Sequence, residues 1–132
     1  MINSFEILIL FSGLIVGVII FQSLIIAPTV FRVLDLEDAG AFLRKVFPRF
    51  FTLIMACSLL MLVLVVLSDS SDKSSFMLPV ANLVFSGVSY LVIPATNRAK
   101  DDGEEKQFKA LHSLTVALTL LMLILNISWW LF

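Results

Sequence analysis

Four long apolar runs constrain what this chain can fold into. They cover residues 5–27, 50–67, 76–93 and 111–132, and Glu6 is the one Asp, Glu, Lys or Arg within them. At about 1.5 Å of helical rise per residue, each run reaches roughly 27–35 Å, which matches a bilayer hydrocarbon core of about 30 Å. Lipid offers the backbone no hydrogen-bond partners, and the runs lack the alternation of barrel strands. They therefore predict four transmembrane helices.

The composition agrees with this prediction. Hydrophobic residues make up 60% of the 132 residues and charged residues 14%, whereas soluble domains have about 45–50% and 25%. A net charge of −1 excludes a nucleic-acid binder of the basic-patch kind, and a single cysteine, Cys57, excludes an internal disulfide or a cysteine zinc cluster. We predict one domain, residues 1–132, as an all-α integral membrane four-helix bundle.

The basic residues are distributed unevenly among the connections. Four of the nine Lys and Arg lie in residues 28–49 and four in residues 94–110, while the connection 68–75 carries Lys73 alone. The positive-inside rule predicts that the first and third connections are cytoplasmic and that both termini are outside. The start of the chain lacks the basic region of a signal peptide, so the first run is predicted to be a retained helix.

The first connection has a helical pattern of its own. Acidic residues precede the pattern, Arg44 and Lys45 lie near its end, and Pro48 closes it. We therefore predict a short amphipathic helix on the cytoplasmic interface between the first two spans. Its apolar positions are Leu36, Ala39, Leu43, Val46 and Phe47.

Two prolines occupy similar places in the two halves of the chain. Pro28 precedes Arg32 by four residues, and Pro94 precedes Arg98 by four. Both prolines are predicted to stop an odd-numbered helix. The match has two explanations: either the chain is a duplication of one two-helix hairpin, or the similar spacing arose by chance.

Polar and small residues recur along the predicted spans. Gly13 and Gly17 form a GxxxG pair, which predicts close helix packing within one chain, with a dimer interface as the alternative. The polar positions predict hydrogen bonds between helices, with one wall of a transport path as the alternative. They are Gln22, Asn82, Ser86, Ser89, Thr115, Thr119 and Asn126.

A polar and basic set is expected at the cytoplasmic ends of the helices. These side chains favour an anionic ligand such as a lipid head group, a phosphate or a carboxylate; arginines that snorkel to lipid phosphates are the alternative. Catalytic motifs are missing, so no enzyme is assigned. The set consists of Arg32, Arg49, Asn97, Arg98 and His112.

These residues predict a non-enzymatic accessory or binding protein. A small transporter or channel subunit is one alternative, and a haem- or tetrapyrrole-binding redox protein that uses His112 is another. No metal site and no cofactor are predicted, because His112 is the sole histidine and no carboxylate lies at matching depth. The expected partners are the bilayer, an anionic lipid or small anion, and a homo-oligomer or larger membrane complex; nucleic acid is not expected.

Several segments together resemble a known group. They are residues 28–34 (PTVFRVL), Ala39-Gly40, residues 46–51 (VFPRFF), Asn97 and residues 108–115 (FKALHSLT). This pattern resembles an uncharacterised bacterial four-helix membrane-protein family related to eukaryotic transmembrane protein 205. The resemblance implies a bacterial inner-membrane protein of unsettled activity.

The chain also departs from that family. Thr119 stands where an asparagine is expected in the last helix. The eukaryotic relative is linked to tolerance of platinum drugs, with a transport role suggested, but the cysteine pattern invoked for that role is not present around Cys57. Metal export by thiolates is therefore not implied. A more distant resemblance to small membrane proteins of haem and copper metabolism, including a four-helix protoporphyrinogen oxidase, keeps the haem alternative open.

Overall fold

The computed structural model describes residues 3–68 and 72–131. Within these ranges, all of the regular secondary structure is helical. The α-helices are α1 Ser4–Ile20, α2 Ala27–Val33, α3 Leu36–Leu67, α4 Met77–Asp101 and α5 Glu105–Ser128. A π-helical segment, Phe21–Ile26, joins α1 to α2, and short 3₁₀ helices at Lys73–Phe76 and Trp129–Leu131 precede α4 and follow α5. Phe132, the end of the fourth predicted run, and residues 69–71 of the second connection lie outside the described residues.

Four helical stretches are long and apolar enough to cross a membrane. They are Ser4–Val33, Leu36–Leu67, Lys73–Asp101 and Glu105–Leu131. α3 packs against α4, α4 against α5, and α1 against both α3 and α5, so the four stretches close into a bundle. The prediction of an all-helical chain with four such helices is confirmed.

Two of the helices, α1 and α3, begin at polar side-chain caps that the sequence supplies. The Asn3 side chain accepts a hydrogen bond from the Glu6 amide at 2.9 Å, and the Glu6 carboxylate accepts one from the Asn3 amide at 3.0 Å. Asp35 caps α3 in the same way, through the Asp38 amide at 2.8 Å. Glu6 thus stabilises the start of α1, where a negative charge also favours the helix dipole.

The segment predicted as a short amphipathic helix is helical, but it forms the first turns of α3 rather than a helix separate from the second span. Pro48 lies inside α3, which runs without a break from Leu36 to Leu67. The apolar face of the first turns of α3 packs on protein, because Ala39 and Leu43 are buried against Val30 of α2. A proline in a helix removes one hydrogen bond, and packing on both sides of Pro48 holds the helix together despite that loss.

The prediction that Pro28 and Pro94 stop their helices is also wrong. α4 continues past Pro94 to Asp101. Before Pro28 the chain widens into the π-helical segment, where the Ala27 amide donates to Gln22, five residues earlier. A proline ring clashes with the carbonyl four residues before it, and a wider turn relieves that clash without ending the helix.

Two larger apolar layers lie along the bundle, in addition to the smaller cluster of Val30, Ala39 and Leu43. One contains Ile7, Leu8, Phe11, Met61, Val65 and Leu78. The other contains Ile15, Ile19, Phe50, Phe51, Ile54 and Met122. The second layer lies nearer the end at which α3 begins and α4 ends, which we call the basic end.

An ion pair and a tight turn fix the basic end. Arg44 of α3 donates two hydrogen bonds to the Asp101 carboxylate of α4, one of them at 3.1 Å. Gly103 then adopts a φ of +71° in the turn that leads to α5, a conformation that glycine adopts at little cost. At the opposite end, the rings of Phe5 and Trp129 meet edge to face, with their centroids 5.4 Å apart.

Candidate functional site

The bundle interior holds a pair of asparagines. Asn82 of α4 donates to the Asn126 side-chain oxygen at 3.1 Å, and Asn126 of α5 donates back to the Asn82 oxygen at 2.8 Å. The Asn126 amide also donates to the Met122 carbonyl at 2.7 Å. Asn82 is fully buried and Asn126 nearly so, so each amide satisfies the other where no water is expected.

The other predicted polar positions are satisfied within their own helices or lack a partner. The Ser86 hydroxyl donates to the Asn82 carbonyl, while the buried Ser89 hydroxyl has no partner among the described residues. Thr115 and Thr119 are half-buried and donate to carbonyls one turn earlier in α5, each at 2.8 Å. The contact that joins two helices through these polar positions is therefore the asparagine pair.

The glycine pair of α1 does not pack closely against a neighbouring helix. Gly13 and Gly17 are exposed, and a Cβ atom added at either meets nothing within 4 Å. The prediction of close packing within one chain is wrong, because the missing side chains leave an open groove instead. This groove between α1 and α3, which we call the α1–α3 groove, has a volume of about 510 Å³. Its walls are Gly13, Leu14, Gly17, Val18, Phe21 and Gln22 on one side and Val46, Arg49, Phe50 and Leu53 on the other.

Two polar side chains line this otherwise apolar groove. Gln22 is 7% exposed, and its side-chain nitrogen is buried without a hydrogen-bond partner. Arg49 is exposed and donates to the Lys45 carbonyl at 2.7 Å. The ion pairs within the described residues are Arg44–Asp101 and Lys109–Glu105, so Arg49 has no carboxylate partner there. Gln22 and Arg49 therefore both line the groove, although the Gln22 nitrogen itself is buried within the protein.

Arg49 also borders a second groove. This space of about 490 Å³ is lined by Lys45, Pro48, Arg49, Thr52 and Tyr90. Two positive charges and the Tyr90 side chain make it the more polar of the two grooves. The Arg49 side chain, at the boundary of the grooves, is thus the cation that both share.

The remaining residues of the predicted basic set line neither groove. Arg32 on α2 and Arg98 on α4 are exposed, and Asn97 is half-buried. His112 is exposed, and its ring stacks on Phe108 with the centroids 5.7 Å apart. Within residues 3–68 and 72–131, no three His, Cys, Asp or Glu side chains group together as metal ligands.

Sequence reasoning named Gln22 and Arg49 but missed the groove that joins them. It also missed Lys45, Tyr90 and the Arg44–Asp101 pair as parts of the basic end. The helical spacing of Gly13 with Gly17, and of Val46 with Arg49, Phe50 and Leu53, is the signal for the two walls. That spacing shows a face on each helix, but not that the two faces border one space.

Comparisons with known proteins place the chain in a family. The profile of the family described as "Domain of unknown function (DUF4149)" matches residues 10–105. An uncharacterized protein of Aquifex aeolicus (strain VF5) is 31% identical over 109 residues, which is 82% of this chain and 80% of the relative. No solved structure matches the chain. The matched residues include every lining residue of the α1–α3 groove, and the chain belongs to the DUF4149 family.

Proposed function

We propose that this protein is a non-enzymatic accessory protein of a bacterial inner membrane, related to eukaryotic transmembrane protein 205, that binds an anionic lipid head group at its basic end. In this proposal the basic end faces the cytoplasm, in agreement with the eight of nine Lys and Arg that lie in the first and third sequence connections. Phosphate and guanidinium groups form strong charge-assisted hydrogen bonds, and Arg presents several donors in one plane.

The observation that carries the proposal is the state of Arg49. Arg44, five residues earlier on the same helix, is neutralised by Asp101. Arg49 has no such partner within the described residues, and it borders a largely apolar groove. A cation beside an apolar surface favours binding of an amphiphile with a phosphate group over binding of a small hydrated anion. The apolar part of the amphiphile can cover the neighbouring apolar surface, whereas a small anion cannot.

Replacement of Arg49 tests this proposal. We expect Arg49→Gln to reduce the enrichment of phosphatidylglycerol over phosphatidylcholine in lipid that co-purifies from mixed vesicles by about two- to fivefold, since an exposed ion pair contributes about 0.2–1 kcal/mol. Lys109→Gln is the matched control, because it removes the same charge from a side chain that is 75% exposed and paired with Glu105. Its lipid enrichment should equal that of the unmodified protein.

The same experiment separates a head-group site from arginines that snorkel to any lipid phosphate. A snorkelling Arg49 would contact phosphatidylcholine and phosphatidylglycerol alike, and the unmodified protein would then show no preference. Equal enrichment in Arg49→Gln and Lys109→Gln would contradict the proposal. The transporter and haem alternatives stay predictions from the sequence, and no contact within residues 3–68 and 72–131 favours either of them.

A further inference from the structure

The second groove contains two positive charges that its own lining does not neutralise. We call it the α3–α4 groove, after the helices that supply Lys45, Pro48, Arg49 and Thr52 on one side and Tyr90 on the other. Lys45 and Arg49 lie one helical turn apart, and the Arg49 guanidinium donates to the Lys45 carbonyl at 2.7 Å. Like charges at this spacing repel each other. Neither side chain forms an ion pair within the described residues, and the groove lining contains no carboxylate, so an anion from outside the chain would stabilise this arrangement.

The neighbouring cation on the same helix is compensated. Arg44, which precedes Lys45 in the sequence, donates to the Asp101 carboxylate of α4. The uncompensated charge is therefore a local feature of the α3–α4 groove and does not extend to every arginine at the basic end.

Tyr90 brings a neutral hydrogen-bond donor to the same groove from α4. Its side chain is 41% exposed, and its hydroxyl makes no hydrogen bond to residues 3–68 and 72–131. The Thr52 hydroxyl differs, because it already donates to the Pro48 carbonyl at 2.8 Å. The lining thus presents an ammonium, a guanidinium and a phenol, which together offer two positive charges and three independent sets of donors.

The position of these side chains along their helices matches the depth of lipid phosphates. Arg49 directly precedes the apolar run 50–67, which spans about 27 Å at 1.5 Å per residue and so matches a hydrocarbon core of about 30 Å. Lys45 lies one turn farther from that core, and Tyr90 lies within one turn of the end of the run 76–93. Tyrosine is enriched where hydrocarbon meets head groups. We therefore expect the α3–α4 groove to face the phosphates of one leaflet.

We propose that the α3–α4 groove binds the phosphomonoester group of a lipid in preference to the phosphodiester of lipids such as phosphatidylglycerol. This inference rests on the proposed head-group site and adds the class of head group that the site selects. A phosphomonoester carries about 1.5–2 negative charges at pH 7 and three terminal oxygens. It neutralises both Lys45 and Arg49 and leaves an oxygen to accept a hydrogen bond from Tyr90. A phosphodiester carries a single charge, so one of the two cations stays uncompensated.

The test is native mass spectrometry of the full chain released from phosphatidylcholine vesicles that contain equal amounts of phosphatidic acid and phosphatidylglycerol with the same acyl chains. We expect the unmodified protein to bind about three to ten times more phosphatidic acid than phosphatidylglycerol, because one more ion pair and one more hydrogen bond form. Lys45→Gln and Tyr90→Phe should each lower this preference by about two- to fivefold, since each removes one of those contacts.

Two variants outside the groove are the matched controls. Lys106→Gln removes the charge of an exposed lysine that has no ion pair within the described residues. Thr115→Val removes a hydroxyl that donates to the His112 carbonyl of its own helix. Both variants should retain the preference for phosphatidic acid. A large excess of inorganic phosphate should leave the bound phosphatidic acid in place, and its displacement would overturn the lipid site in favour of a site for free phosphate.

The outcomes separate this inference from the head-group proposal. If phosphatidylglycerol is enriched over phosphatidylcholine and Arg49→Gln loses it, but phosphatidic acid has no advantage over phosphatidylglycerol, the phosphomonoester site is wrong and the head-group site stands. If neither anionic lipid is enriched over phosphatidylcholine, both proposals are wrong. An unchanged preference in both Lys45→Gln and Tyr90→Phe would overturn the phosphomonoester site. An equal loss of preference in Lys45→Gln and Lys106→Gln would also overturn it, because the loss would then follow from net charge and not from the groove.

Discussion

Replacement of both buried asparagines by leucine should destabilise the bundle by less than the sum of the two single replacements. Two hydrogen bonds join Asn82 and Asn126, at 3.1 and 2.8 Å. Interhelical hydrogen bonds in membranes contribute about 0.6 kcal/mol on average and up to about 1.7 kcal/mol, so the pair contributes about 1–3 kcal/mol. A single replacement also leaves the other amide buried without its partner, which adds about 1–3 kcal/mol.

We therefore expect Asn82→Leu and Asn126→Leu each to destabilise the bundle by about 2–6 kcal/mol, the sum of the two terms. The double variant leaves no amide unpaired, so it should be destabilised by about 1–3 kcal/mol rather than by the sum of the single effects. Leucine has nearly the shape of asparagine, so the cycle reports mainly on the hydrogen bonds. The free energy of unfolding is measured by titration of the protein in mixed micelles with dodecyl sulfate, followed by far-ultraviolet circular dichroism. The coupling energy from the cycle should be about 3 kcal/mol or more.

A second cycle provides the control. Thr115 lies on α5 with Asn126, but its hydroxyl donates to the His112 carbonyl of its own helix. Asn82→Leu and Thr115→Val should therefore be additive to within about 0.5 kcal/mol. If the effects of Asn82→Leu and Asn126→Leu were also additive to within about 0.5 kcal/mol, the reasoning would be refuted, because the two amides would then contribute independently of each other.

Two further predictions concern the basic end. Asp101→Asn should destabilise the bundle slightly at low salt, because it removes the partner of Arg44, and this difference should vanish in about 1 M salt, where charges are screened within a few ångströms. An effect independent of salt would contradict the ion pair. Gly103→Ala should lower the free energy of unfolding by about 1 kcal/mol, because Gly103 has a φ of +71° and alanine disfavours that conformation. Unfolding titrations measure the stability of both variants. An unchanged free energy of unfolding in Gly103→Ala would argue against the tight turn.

The four membrane-length helices could be predicted from the sequence because their determinants are local. Apolar runs of 18 to 23 residues specify a helix in lipid whatever the neighbouring helices do. The helix bounds could not be predicted as well, since Pro48 and Pro94 were given their local, helix-ending role. In the structure, the packing of Ala39 and Leu43 on Val30 continues α3 across Pro48.

The candidate site could be predicted only in part, because it depends on which helix faces meet. Asn82 and Asn126 were both named from their helical spacing, but their pairing requires the relative heights of α4 and α5. Gly13 and Gly17 were interpreted as a packing contact, and the structure shows open space there. Gln22 and Arg49 belong to different helices, and only the fold places them on one groove.

Photocrosslinking tests the central claim most directly. The full chain is reconstituted with a phosphatidylglycerol that carries a diazirine in one acyl chain, irradiated and digested, and the modified residues are located by mass spectrometry. We predict that adducts concentrate on groove residues such as Leu14, Val18 and Leu53, and that Arg49→Gln reduces them. Adducts spread evenly over exposed apolar residues outside the groove, such as Leu91 and Ile124, would contradict the account.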